Sequence, residues 1–392
     1  MGLLQSLIHI IIFFERNTLH FSDSLQFYGF MAFIAFITLA LLSVIRRSMF
    51  EIFQTTHLAL AVLITYALWR HLTVRPSFSR FYVCIASGIF VLTTALRYSR
   101  LILRNVIWGQ PYTTAKVTQV RDSVRIQVIV PRPWKVRAGE YLYIWMPGVS
   151  IWSIFQSHPF MVTWWDNDVD GKSTNIYLLI KPASGFTQKL VQYTGNCVFR
   201  SWIDGPYGQP SNVGDYGNIL MFASGIGITA QIPHLKELLR GYRNYRVRTR
   251  NILLVWQLDK ESDQEWVQDW MTELLSEDQG AYILKIGLYV LRNFDNQNTS
   301  YGDMEDYGEH NRVRKLYGRP DVDRLIKSEV AKKRGQLLIM TSTGSDMQEQ
   351  IQRSTQKYLD REVKLTHLAF QPRSYRSFWS PRLPEVNYKG VV

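Results

Sequence analysis

Cysteine is nearly absent from these 392 residues: Cys84 and Cys197 are the only two, too few for a disulfide framework or a cysteine metal site. Carboxylates are scarce in the first hundred or so residues, which are apolar, whereas the remainder mixes charged and apolar residues as an ordinary soluble domain does. No basic stripe interleaved with aromatics occurs, so the formal net charge of +13 fits contact with anionic lipid better than nucleic-acid binding. The opening MGLLQSLIHIIIFFER lacks the basic start and small-residue cleavage site of a secretory leader, so it reads as the tail of a longer span.

What is present divides the chain in two, and its length allows two or three domains. Four uncharged runs fill the first part: Gly2 to Phe14, Gln26 to Ile45, Ile52 to Trp69 and Phe81 to Leu96. A helix crossing the hydrocarbon needs about 20 residues, so the second and third are good spans, the fourth serves with its flanks, and the first is short. Arg46 and Arg47 follow the second run, and Arg97, Arg100 and Arg104 follow the fourth, which puts both places on the cytoplasmic side; Arg75 and Arg80 count weakly against this. The expectation is a multi-pass protein of a lipid bilayer, with its C-terminal domains cytoplasmic.

The stretch HLALAVLITYALWRH, which overlaps the third run, begins and ends with histidine, His57 and His71. At about 100° and 1.5 Å per residue they return to nearly one face, about 21 Å apart along the axis. An ionisable group inside a membrane is functional by default, and imidazole is an axial ligand of haem iron. The plainer reading is a hydrogen bond to a neighbouring helix or a place at the interface, which suits His71 beside Arg70. A haem held by two histidines needs a second helix; His9 is the candidate partner for His71, whereas His20 falls in a polar loop. His57 would pair with a position before residue 1.

From about Gln110 to Pro206, stretches such as AKVTQVRDSVRIQVIV and EYLYIWMPG alternate β-branched or aromatic residues with polar ones, which suggests a small antiparallel barrel. From Asn218 the pattern becomes an apolar strand, NILMFAS, a glycine turn and an amphipathic helix from Ala230 to Leu239; RNILLVWQL and GQLLIMTS then alternate with helical stretches such as QEWVQDWMTELL. That alternation argues for a parallel sheet with helices on its faces. In the turn Ser224-Gly225-Ile226-Gly227-Ile228-Thr229, two glycines between strand and helix would let the backbone approach a pyrophosphate. An ordinary strand-to-helix turn has the same look. Arg292 to Lys315 is polar and acidic with few aliphatics, so it reads as a mobile surface loop; its sequon at Asn298 would stay unmodified in the cytoplasm.

Taken together, SHPF at Ser157 to Phe160, KPASGFTQKL at Lys181 to Leu190, DGPYG at Asp204 to Gly208 and ASGIGIT at Ala223 to Thr229 resemble, in motif and order, the fungal ferric-chelate reductases of the ferric reductase and NADPH oxidase superfamily. The resemblance covers nearly the whole chain. It implies a multidomain membrane protein: an α-helical haem-bearing transmembrane region at 1–104, an antiparallel flavin barrel of ferredoxin-NADP reductase type at 108–212, and an α/β NADPH-binding domain at 216–392. It implies FAD contacts from His158, Pro159, Phe160 and Met161, phosphate contacts from Gly185, Phe186 and Thr187, and further cofactor contacts from Lys181, Gly205 and Gly208. Ser224, Gly225, Gly227 and Thr229 would take the NADPH pyrophosphate, Ser342 would lie near the nicotinamide, and Phe378 or Trp379 would cover the flavin. Haem b would be held by His9, His57 and His71. Arg319, in YGRPD, is a candidate for the 2′-phosphate of NADPH, although a solvated turn arginine reads the same way.

The implied activity is passage of electrons from NADPH through FAD and haem to an extracytoplasmic iron or copper chelate, and the implied location is the plasma membrane. No general-base residue is implied. Three departures stand out: the missing partner of His57; Met161, where related flavoproteins often have Thr or Ser; and Ser342-Thr343-Gly344, where the family commonly has Cys-Gly-Pro. A superoxide-producing NADPH oxidase shares almost every motif. A truncated membrane protein that retains nucleotide binding without electron transfer is the third reading. Nothing in the sequence speaks to oligomeric state.

Overall fold

The structure is a computed structural model that describes residues 7–12, 15, 23–45, 50–72, 78–149, 153, 157–166, 171–183, 185–193, 195, 197–278, 280–292, 300–332, 335–358 and 363–370. Two compact units divide the chain, Met1–Arg100 with Arg373–Val392, and Leu101–Pro372. Phe378 and Trp379 lie outside the described residues.

The first unit is helical. Helices α1 (Ser24–Ile45) and α2 (Phe50–His71) form over the second and third apolar runs, and α3 (Phe78–Asn105) forms over the fourth and continues past it. Of the first run, residues 7–12 are described and helical. Among the described residues, two helices are long and apolar enough to cross a membrane, Ser24–Val44 and Arg80–Asn105; α2, over the third run that the sequence reads as a good span, is not one of them. The α1–α2 pair packs antiparallel on small residues: Ala32, Ala35 and Ala67 are buried, and the end of α2 lies on Gly29 near the start of α1. Small side chains at such a crossing let two backbones approach without a large apolar core. Tyr28 meets Tyr66 edge to face at 5.9 Å, and the Arg70 guanidinium lies 5.0 Å over Tyr28.

The second unit holds three sheets. Strands β1 (Thr114–Val120), β2 (Ser123–Trp134), β3 (Tyr141–Trp145), β4 (His158–Met161), β5 (Trp164–Asp166), β6 (Ser173–Ile180), β7 (Cys197–Arg200) and β8 (Trp202–Tyr207) are joined by the short helix α4 (Phe186–Leu190). They form a five-stranded antiparallel sheet, β5-β6-β2-β1-β7, and a three-stranded one, β4-β3-β8, over a shared core that includes Val128, Leu142, Ile144, Ile176 and Ile203. The expected barrel is therefore two antiparallel sheets among the described residues, not one closed ring of hydrogen-bonded strands. Period-2 alternation predicts which face of each strand is buried; it carries nothing about ring closure.

Beyond β8 come β9 (Asn218–Ser224), α5 (Ile228–Arg243), β10 (Asn251–Lys260), α6 (Gln268–Glu277), β11 (Leu284–Arg292), β12 (Met304–Tyr307), β13 (Val313–Tyr317), α7 (Val322–Ala331), β14 (Leu337–Ser342), α8 (Ser345–Gln356) and β15 (Val363–His367). The sheet order is β12-β13-β11-β10-β9-β14-β15, parallel except for β12. One apolar cluster packs α5 and α6 on one face, and a second packs α7 and α8 on the other.

The stretch expected as a mobile loop is corrected in part. Residues 293–299, with the sequon asparagine, lie outside the described residues, but Met304–Tyr307 and Val313–Tyr317 pair as an antiparallel edge. Buried ion pairs fix it: the Lys315 Nζ donates to Glu261 Oε1 at 2.7 Å, and Arg312 lies 3.3 Å from Asp278. These partners are over 30 residues away in sequence, so composition alone reads the stretch as solvated.

Candidate functional site

In the seven-stranded sheet the chain runs from β9 outward through β10, β11 and β13, then returns to lay β14 on the other side of β9. The loops leaving β9 and β14 therefore diverge to opposite faces and open a crevice at the carboxyl ends of those strands, where ligands of open α/β sheets bind. Ser224, Gly225 and Gly227 come from one lip and Ser342, Thr343 and Gly344 from the other.

Hydrogen bonds fix both lips. The Gly344 N–H donates to Ser224 Oγ at 2.8 Å, and Trp256 Nε1 donates to the Gly225 carbonyl at 2.9 Å. Beneath them Gln231 Nε2 donates to Ser342 Oγ at 2.9 Å and to the Phe222 carbonyl at 3.2 Å, while Ser342 Oγ donates to Phe222 O at 3.3 Å. Ser342 is thus a buried crosslink between the strands, and Gln231, on α5, is a site-building residue that sequence reading missed. Its polarity on the buried face of an amphipathic helix is the signal that could have found it.

The two glycines do different work. Gly225 has φ +48°, and an added Cβ would meet nothing within 4 Å, so its backbone faces open space. A Cβ on Gly227 would collide with the Ser342 carbonyl. Gly227 is therefore required for packing of the turn on β14, where the sequence suggested close approach to a ligand. Thr229 is buried and donates its hydroxyl to the Ile226 carbonyl at 2.9 Å, holding the turn from inside. Thr343 Oγ1 is buried without a hydrogen-bond partner among the described residues. A buried hydroxyl left unpaired costs about 1–3 kcal/mol, so this one suits a polar ligand group in the crevice.

The second cluster lies in the flavin-like half. Register pairs Ile144 with His158, Tyr143 with Pro159, Leu142 with Phe160 and Tyr141 with Met161. Cross-strand partners share a face, so the pleat splits the HPFM stretch. His158 and Phe160 share the face of buried Leu142 and Ile144. Pro159 and Met161 share the other with Tyr141 and Tyr143, which meet Tyr207 at 5.7 Å each. The His158 ring stacks on Phe186 at 4.1 Å, and Phe160 lies 6.4 Å from the same ring. His158 Nε2 is buried and unpartnered among the described residues, and burial lowers the imidazole pKa to about 4, so the ring is neutral at pH 7. A neutral imidazole nitrogen without a partner fits a hydrogen-bonding group of a flavin.

Gly185, at φ +59°, precedes α4, and Thr187 Oγ1 accepts from the Ala183 N–H at 3.1 Å. An added Cβ on Gly208 would meet the Gly139 carbonyl, and one on Gly205 would lie 3.3 Å from Leu142, so both glycines let β8 approach β3. Lys181 holds its ammonium 5.2 Å over the Trp266 ring. It thus bridges the two halves of the unit, a role the motif did not predict.

Other contacts join the same halves. Arg125 makes a two-pronged bond to Asp269 at 2.6 and 2.9 Å and lies 4.1 Å over Trp270. Trp164 stacks on Trp270 at 5.8 Å, and Trp266 Nε1 donates to Asp122 at 3.0 Å. Lys236, on α5, donates to the Trp165 carbonyl at 2.6 Å, with its pKa lowered to about 8 by burial. The helix that starts at the crevice is therefore tied to the strand that follows HPFM. Arg319 is exposed at the end of β13, on the same carboxyl edge of the sheet as the crevice.

In the helical unit, His71 Nδ1 lies 2.8 Å from the Leu25 carbonyl. A carbonyl only accepts, so Nδ1 is the donor and Nε2 is the nitrogen that the neutral ring would offer to a ligand. That tautomer fits a metal-ligating imidazole oriented by its other nitrogen. His57 is exposed, with Phe53 at 5.3 Å, and His9 is exposed.

Two family models match the second unit: an FAD-binding domain at residues 107–211 and a ferric reductase NAD binding domain at residues 216–355. The chain is 24% identical over 297 residues to the probable cell surface ferric reductase kap2 of Aspergillus oryzae, covering 68% of this chain and 38% of that protein. It is 28% identical over 216 residues to the ferric/cupric reductase transmembrane component 2 of Saccharomyces cerevisiae, covering 54% of this chain and 28% of that protein. The match thus spans well under half the length of either relative. Among solved structures, a ferredoxin NADP+ reductase from Neisseria gonorrhoeae with bound FAD and NADP aligns with 66% of this chain and 98% of its own, at 11% identity and TM-score 0.43. With an FAD-binding domain followed by a ferric reductase NAD-binding domain, the chain is an oxidoreductase module that carries the flavin- and nucleotide-binding domains of the ferric reductase and NADPH oxidase family.

Proposed function

We propose that this chain oxidises NADPH and reduces a one-electron acceptor on the side of its soluble domains, with FAD held by residues 108–212 and NADPH received by residues 216–392. The carrying observation is that one compact unit contains both an unpartnered buried imidazole at His158 and a switch-point crevice with open backbone at Gly225 and an unpaired hydroxyl at Thr343. FAD, when bound, supplies the change from a two-electron donor to single electrons.

The chain's own residues bind and orient. His158 offers a neutral ring nitrogen, Phe186 and Phe160 give that ring an apolar backing, and Gly185 and Thr187 belong to the turn assigned to the flavin phosphates. Ser224 and Gly225 form the lip assigned to the NADPH pyrophosphate, and Trp256 holds that lip from behind. Lys236, Arg125 and Trp164 keep the two sites at a fixed spacing, which hydride transfer requires because it tolerates little misplacement.

The test uses purified full-length chain in detergent. Bound FAD and NADPH-dependent reduction of a soluble dye are expected. His158→Ala should lose FAD, and Gly225→Val should raise the KM for NADPH with FAD content kept. Wild-type chain that binds neither would sink the proposal.

A second reading, transmembrane reduction of an extracytoplasmic ferric or cupric chelate through haem b, is favoured by one observation, the His71 tautomer set by Leu25. It requires the soluble domains to be cytoplasmic. Proteoliposomes with chelate on the far side from NADPH test it, and His71→Phe should abolish both haem absorbance and chelate reduction. Dye reduction suppressed by superoxide dismutase would instead favour the oxidase reading.

A further inference from the structure

Between residues 101 and 212, the exposed large apolar side chains among the described residues are Ile102, Leu103, Trp108, Tyr112, Ile129 and Val198. They share one neighbourhood. Ile102 and Leu103 lie in the last turn of α3, which ends at Asn105. Asn105 is buried and clamped: its Nδ2 donates to the Ile203 carbonyl at 2.7 Å, and its Oδ1 accepts from the Ile203 N–H at 2.8 Å and the Thr113 hydroxyl at 3.0 Å. The helix end is thus fixed where β1 begins and β7 passes into β8.

The outer face of the five-stranded sheet starts at that junction. Thr114 pairs with Ile129 on one side and Arg200 on the other, and Lys116 pairs with Gln127 and Val198. The intervening Ala115, paired with Val128 and Phe199, points into the core. Across β2, β1 and β7 that face carries two rows, Ile129-Thr114-Arg200 and Gln127-Lys116-Val198, with two cations and no carboxylate; the first continues through Asn175 to Asp166 on β5 and the second through Tyr177 to Trp164, the end of the face that the nucleotide-binding half covers. Arg200 lies 5.2 Å over Tyr112. Trp108, fully exposed, is three residues past Asn105 and so within about 10 Å of the end of α3.

We propose that this face, with Trp108 and Tyr112 at its border, docks on the surface of an anionic lipid leaflet where α3 leaves the bilayer. Trp and Tyr partition to the headgroup level, where an apolar ring meets hydrocarbon and its polar edge stays wet. Lys116 and Arg200 supply the attraction to acidic headgroups. Val198, on an edge strand, is covered by lipid, which also removes a strand edge from pairing with other chains. The inference rests on α3 crossing a membrane and is independent of the flavin and nucleotide assignments.

The test places a nitroxide on full-length chain in nanodiscs, with Cys84→Ser and Cys197→Ala removing the native thiols. Trp108→Cys and Val198→Cys carry the label, with Tyr245→Cys, at a 93% exposed position, as the aqueous reference. In phosphatidylserine-containing discs, the ratio of collisions with oxygen to collisions with a water-soluble nickel chelate should be at least about threefold higher at 108 and 198 than at 245. Lys116→Glu with Arg200→Glu should reverse this at 198, since each basic residue is worth about fivefold in partition at such a surface. Should Val198→Cys disturb the edge strand, Ile129→Cys reads the same face. Labels at 108 and 198 as open to nickel as the label at 245 would overturn the proposal. So would labels closed to both reagents, which would signal a protein partner or a second copy.

Discussion

The helical unit and the sheet-rich unit spend similar apolar residues in opposite ways. In α1, α2 and α3, Leu41, Val44, Val62, Ile89 and Val91 are more than half exposed, and the buried residues at the helix crossing are alanines. In Leu101–Pro372, valine, leucine and isoleucine fill three apolar clusters. The sheet unit is held by removing apolar surface from water, about 25 cal/mol per Å². The helical pair is held by close backbone approach and turns its larger apolar side chains outward. The difference shows where a substitution should be felt and where it should not.

Glycine substitutions give the largest expected contrast. Gly227→Val, which drives a side chain into the Ser342 carbonyl, should destabilise the sheet unit by more than about 3 kcal/mol in denaturant titration. Gly88→Ala in α3, where an added Cβ meets nothing within 4 Å, should leave stability unchanged or slightly raised. Equal costs at the two positions would break the comparison.

A buried histidine gives the next effect. Burial lowers the His234 pKa to about 4 from an unfolded value near 6.5, so the unfolded chain binds the extra proton between those values. Stability should therefore fall as pH drops from about 6.5 to about 4, by roughly 3 kcal/mol. Burial raises the Glu140 and Glu237 pKa values, and those carboxyls act in the opposite direction, gaining stability as pH falls. The difference between wild type and His234→Gln isolates the histidine, and matching acid limbs would contradict the account.

Gly29→Val tests the helical unit. An added Cβ would sit 2.7 Å from the His71 ring, so the imidazole must move and the Leu25 bond should break, at a cost of about 1–2 kcal/mol. Any haem absorbance should shift or disappear with it. Gly225→Ala, at φ +48° in open space, should cost about 1 kcal/mol and raise the KM for NADPH several-fold. Smallest is Arg121→Ala: its two-pronged bond to Glu265 is solvent-exposed and should be worth under about 1 kcal/mol, less in high salt.

Much of the fold is legible in the sequence because its periodicities are local. NILMFAS forms a strand over the same residues, Asn218–Ser224, and the helix read at Ala230 to Leu239 is the middle of Ile228–Arg243. Ring closure and the β12–β13 edge are not legible, since both depend on partners distant in sequence, such as Glu261 for Lys315. At the candidate site, motifs locate the right loops without saying which residue faces a ligand. Gly225 and Gly227 look equivalent in GIG, and only the position of the Ser342 carbonyl separates an open glycine from a packed one. HPFM likewise reads as one motif until the register with β3 divides it between two faces.

The most direct test of the central claim is anaerobic mixing of FAD-loaded, full-length chain with NADPH while flavin absorbance is followed. The account predicts bleaching by wild type, slower bleaching at subsaturating NADPH by Gly225→Val at unchanged FAD content, and no retained flavin in His158→Ala. Flavin that binds but stays oxidised in the presence of NADPH, or that binds as tightly without His158, would contradict it.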